Sequence, residues 1–131
     1  MTTRRPKVIA KAGTSKQQAA LVKQDLIGRW RLARMSNWDN EFMDEESPAF
    51  IEFTVGGGGE FHFGYIHCGI DWQPEQRQGR PGVAFAFDGH DEMTPTQGRG
   101  WAAAQIDGTL SGHLYFHQGD DSAFWAKRKG S

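Results

Sequence analysis

The sequence holds little of what usually announces a function. Cys68 is its one cysteine, so no internal disulfide can form, and an unpaired thiol fits a reducing compartment. No stretch approaches the roughly 20 apolar residues of a membrane helix. The apolar run behind Arg4 and Arg5 is only Val8, Ile9 and Ala10 before Lys11 intervenes, too short for a secretory leader. The first 24 residues share their composition with organellar transit peptides, but a cytoplasmic, bacterial-type protein is the preferred reading. Nucleophile elbow, phosphate loop, Cys–His pair and dinucleotide fingerprint are all missing. The run Gly56–Gly59 lacks the Lys and the following helix that a phosphate loop needs. No cofactor is expected, and an enzyme is not the first reading.

The longest stretch without an acid comes first. Residues 1–24 carry six basic residues (Arg4, Arg5, Lys7, Lys11, Lys16 and Lys23) and none of opposite sign, leaving nine basic against 16 acidic residues in the rest. Such an arm can bind nucleic acid or an acidic surface. With no aromatic residue to stack on bases, it reads first as a solvated extension, and nucleic acid is not the expected partner. Its first 14 residues, broken by Pro6 and Gly13, read as disordered. Ser15 can cap a short helix running to about Leu26, which Gly28 ends.

What the chain does have is rings, turns and a period of two. Nine Phe and five Trp carry much of the burial available to its 131 residues, and 17 Gly with five Pro favour many tight turns over long helices. From Arg29 onward short alternating segments succeed one another. Ile51, Phe53 and Val55 share one face of a segment at 49–55, and Phe61 and Phe63 share one at 60–63. Ile66, Cys68, Ile70 and Trp72 stand opposite His67, Gly69 and Asp71, and Val83, Phe85 and Phe87 alternate with Ala84, Ala86 and Asp88. The stretch Pro74–Pro81 reads as a polar loop. Asp107-Gly108 reads as a two-residue hairpin turn that sets Ile106 opposite Thr109 and Trp101 beside Leu114. A turn at 118–121 leads to a last strand, Ser122–Lys129. Clean alternation with short connections predicts an antiparallel meander. About eight strands would close it into an up-and-down barrel, a two-sheet sandwich being the competitor. The domain reading is therefore a basic extension over 1–24 and one all-β barrel over 25–131.

Gly28-Arg29-Trp30 opens the first strand behind a short helical segment, and Arg128 lies on the last. The pairing resembles the calycin superfamily, which includes the lipocalins. The resemblance implies that Trp30 plugs one end of the barrel and Arg128 covers its indole, a cation–π contact. The second and third lipocalin motifs and paired cysteines are lacking. More of the chain is similar to a family of small bacterial proteins of unassigned function. That likeness rests on Gly-Arg-Trp-Arg at 28–31, Trp38-Asp39, Gly59-Glu60-Phe61-His62-Phe63-Gly64, Asp91-Glu92, Gly98-Arg99-Gly100, Asp107-Gly108, and Gly119-Asp120-Asp121-Ser122 before Phe124. It implies a fold and no activity.

Candidate chemistry is sparse. His113 and His117 on a strand lie about 13 Å apart, too far to share an ion. His62 and His67 flank a hairpin but can point to opposite faces, and no metal is expected. His67 or His117 with Asp71, Asp120 or Asp121 would be the pair of a small hydrolase or isomerase. The adjacent acids Asp91-Glu92 and Asp120-Asp121 read more simply as turn residues, and the acid run from Asp39 to Glu46 as a solvated loop. Arg99, between two glycines, is free for an anionic group or paired with Asp91 or Glu92. The leading reading is a non-enzymatic barrel that binds a small molecule or a partner. Its ligand would enter near Trp38, Asp91, Glu92, Arg99 and Trp101. An outward patch of Trp125, Tyr115 or Trp101 would pair two copies into a homodimer if the register exposes it.

Overall fold

Alternation decides the architecture. A computed structural model describes residues 25–128, and in it eight antiparallel strands follow one another around a closed barrel. They are β1 (Gly28–Met35), β2 (Phe50–Phe53), β3 (Gly59–Phe63), β4 (Ile66–Arg77), β5 (Arg80–Asp91), β6 (Thr94–Ala104), β7 (Leu110–Phe116) and β8 (Asp121–Arg128). Each pairs with its successor, and β8 returns to β1 with Trp30 opposite Arg128. The basic extension and the helix expected from residue 15 fall almost wholly outside the described residues.

The inward set fills the barrel. Phe53, Phe61, Phe63, Phe85, Phe87 and Phe124 are all at most 4% exposed, and their rings touch: the centroids of Phe61 and Phe87 are 4.9 Å apart and those of Phe53 and Phe85 5.8 Å. Room for these rings comes from glycine. Phe85 pairs with Gly100, Phe87 with Gly98 and Phe124 with Gly112 across neighbouring strands, so a bulky ring lies where the partner has no side chain. One end is closed by Trp30, 2% exposed, whose indole Nε1 donates to the Leu26 carbonyl at 2.9 Å. The Arg128 guanidinium stacks on that indole at 3.9 Å and donates to the carbonyls of Ile27 and Asp25.

Four expectations need correction. The stretch Pro74–Pro81 is not a loop. β4 and β5 continue as a long hairpin through a two-residue turn, Gln78-Gly79, whose positive φ values of 52° and 73° match the primed turn such hairpins use. The β6–β7 connection is one residue longer than read: Gln105 N donates to Thr109 O, and Gly108 takes φ +87°. The pairing therefore shifts by one, and Trp101 faces His113. Val55 is not inward. β2 ends at Phe53, leaving Val55 69% exposed in the turn. Finally, the acid run after Asp39 is not simply a solvated loop. It contains the single-turn helix α1 (Asn40–Met43), which the Asp39 carboxylate caps by accepting from Phe42 N at 2.8 Å. Met43 is fully buried beneath it.

Candidate functional site

Two places on the barrel gather chemistry-bearing side chains, and both depend on the segment between β1 and β2. The segment is fixed by a bidentate pair. Arg31 Nη1 and Nη2 donate to the two Asp44 oxygens at 2.9 and 2.7 Å, while Asp44 also accepts from Ala49 N at 2.9 Å. The Arg31 hydrogen bond foremost, aided by the Ala49 amide, holds the Asp44 carboxyl below its usual range against the opposing effect of burial.

The first place is a cleft of about 540 Å³ at the barrel end that α1 overlies. Its apolar side is Trp38, half-buried against Phe63 (centroids 5.0 Å apart) and against Phe116 (5.9 Å). Its polar side is Asp91, Gln97, His117 and Asp120. Neither Asp91 nor Asp120 forms an ion pair among the described residues.

The second lies on the outer wall next to it. The β3–β4 hairpin turns at Gly64-Tyr65, where Gly64 has φ +59° and packs so closely on α1 that a Cβ there would lie 2.6 Å from the Phe42 ring. A two-residue turn sets His62 directly opposite His67, both facing outward, with ring centroids 3.7 Å apart. Both Nε2 atoms converge on one oxygen of Glu46, at 2.8 and 2.7 Å. The hydrogen bond from His67 foremost, and then that from His62, holds the Glu46 carboxyl below its usual range. The other nitrogen of His62 meets Ser47 Oγ at 3.3 Å. Next to Glu46, Glu45 accepts a 2.5 Å hydrogen bond from the Tyr65 hydroxyl, which raises the phenol's pKa. His90 continues the row, opposite His67 on β5.

The sequence-derived candidates divide between these places and others. Trp38, Asp91, His117 and Asp120 come together in the cleft. Glu92 sits in the adjoining β5–β6 turn at φ +54°. Arg99 is exposed on the outer wall in a neighbouring hollow with Tyr115 and His117. Among the described residues it has no ion-pair partner, so neither Asp91 nor Glu92 neutralises it. Trp101 faces outward towards the other end, under the Arg77 guanidinium at 4.1 Å. Trp125 likewise lies beneath Arg34, at 3.6 Å, and Tyr115 is 42% exposed. His67 bonds Glu46 and not Asp71, which is exposed on β4. Asp121 pairs with His113, at 2.5 Å. Cys68 points into the core, where burial pushes its thiol up to about 12. Glu46 was missed, since a loop residue 16 positions from His62 leaves no local pattern. The His62–His67 pairing was available from the two-residue turn alone.

No protein-family model, curated protein or solved structure matches the chain. Among the described residues no helix is long and apolar enough to cross a membrane. Function must therefore be argued from the site.

Proposed function

We propose that the barrel is a non-enzymatic small-molecule binder whose ligand enters the cleft beside Trp38. One observation carries this reading: two aromatic faces, Trp38 and Phe116, share a cleft with two carboxylates, Asp91 and Asp120, that have no cationic partner among the described residues. At about 540 Å³ the cleft is of ligand size. Carboxylates beside aromatic faces select a compact organic cation: the charge meets the acids, and the ring quadrupole adds to the attraction. The filled interior argues against a ligand inside the barrel.

Calorimetric titration with phenethylamine and with phenylacetate, two ligands of similar size and opposite charge, tests the reading. The amine is expected to bind and the acid not to. The double variant Asp91→Asn/Asp120→Asn should weaken the amine at least tenfold. Equal binding by the two ligands, or an unaffected double variant, overturns the proposal.

The competing reading, a hydrolase or isomerase on a His/Asp pair, would rest on His117 and Asp120, which line the same cleft but form no ion pair among the described residues. It requires a pH-dependent turnover that His117→Ala abolishes.

A further inference from the structure

We infer that Glu46, His62 and His67 form a binding site for one divalent transition-metal ion, with zinc the natural probe. The inference is independent of the cleft, resting on the outer wall of the β3–β4 hairpin.

Three observations support it. The donor atoms of the three residues lie within 4.8 Å of one another, and two imidazole nitrogens and a carboxylate oxygen are the donor set of borderline metals such as Zn²⁺. A tetrahedral zinc with ligands at about 2.0–2.2 Å needs donors roughly 3.3 Å apart. The present Nε2–Oε1 separations of 2.7 and 2.8 Å reach that by a small swing of Glu46, which is 44% exposed.

The site is also held by its surroundings. His62 is only 11% exposed; its ring lies edge-on to Phe50, centroids 5.9 Å apart, and its Nδ1 faces Ser47 Oγ. With the metal on Nε2, Nδ1 carries the proton and donates it to Ser47, the outer hydrogen bond that orients metal-bound histidines. The Arg31–Asp44 clamp fixes the loop that presents Glu46 and Ser47.

Finally, the two imidazoles converge as a chelate's would. Their centroids are 3.7 Å apart with the rings tilted by 31°, and both direct Nε2 at one carboxylate oxygen. A cation between three lone pairs satisfies all of them. Three protein ligands leave a fourth position open to solvent, the coordination of a site that can take a further ligand.

The test is titration of the full-length, untagged, chelator-treated chain with Zn²⁺, and with Co²⁺ for its visible d–d bands. One ion per chain is expected, with intense tetrahedral cobalt bands. His67→Ala and His62→Ala should each weaken binding at least a hundredfold, and Ser47→Ala about tenfold. Glu46→Gln changes an exposed loop residue, so the metal-free chain should keep the wild-type circular dichroism and still melt cooperatively while losing the cobalt bands. His113→Ala should bind as the wild type does. No stoichiometric ion, or wild-type affinity in both Glu46→Gln and His67→Ala, overturns the inference.

Discussion

At the scale of single residues, several acids of this chain hold turns and loops in place, and Asp107 is one of them. Its Oδ1 accepts from Thr109 Oγ1 at 2.6 Å and from Thr109 N at 3.0 Å, closing the β6–β7 loop. The side-chain bond foremost, and then the amide, lowers its pKa from the ordinary value of 3.8. A carboxyl that ionises more readily in the folded chain adds stability above its unfolded pKa and loses it as pH falls through the folded one. Asp107→Ala is therefore expected to melt below the wild type at pH 7, and the gap should close as the pH drops below about 4. Melting temperatures at pH 7, 5 and 2.5 check this; a gap independent of pH would mean that the charge plays no part. Asp44, Glu45 and Glu46 show the same economy, each with a named partner across the fold.

At the scale of elements, the period of two gave the strands their identity, while Pro74 and Pro81 were misread as punctuation. Pro74, Pro81 and Pro95 all lie within strands. Each sits where its strand overruns one neighbour: β4 pairs with β3 only as far as Gly69, and β5 and β6 pair only from Gly82 onward. β7 reaches β6 only from Gly98. Edge stretches of this kind are where sheets accommodate proline, and only the register reveals them. The glycines around Arg99 carried a different meaning too. They looked like freedom for the guanidinium but are room for Phe85 and Phe87 inside. A Cβ at Gly100 would lie 2.8 Å from Phe85 Cζ and 2.5 Å from the His113 carbonyl oxygen. Overpacking of this kind costs about 1–3 kcal/mol, so Gly100→Ala should lower the urea midpoint clearly. Gly119→Ala, whose nearest contact would be an ordinary 3.5 Å, should hardly move it. Equal midpoints would show that the ring-over-glycine pairs are not tight. The metal triad was half legible: the hairpin turn pairs His62 with His67, but only the folded β1–β2 segment brings Glu46 to them.

At the scale of the whole molecule, a barrel of eight strands stands at the boundary between a filled core and a ligand cavity, and side-chain volume decides which it becomes. Here six phenylalanines, at most 4% exposed, meet across the interior with glycines opposite three of them. The Trp30–Arg128 stack closes one end, and Trp38 and Phe42 pack on Phe63 at the other. The binding we propose therefore falls at the mouth and on the outer wall, where Asp91, Asp120 and the His62–His67 pair lie. The wild-type chain is accordingly expected to retain neither fatty acid nor haem in native mass spectrometry after incubation. Removing a central ring should reverse this at a known cost: Phe61→Ala, at a site only 1% exposed, should lose about 3–5 kcal/mol and leave an apolar void. Such a void stays dry and takes up a small apolar molecule such as benzene, which would raise the variant's melting temperature and leave the wild type's unchanged. A wild-type chain that carried fatty acid through desolvation would instead mean that the rings part, and that the barrel binds from within.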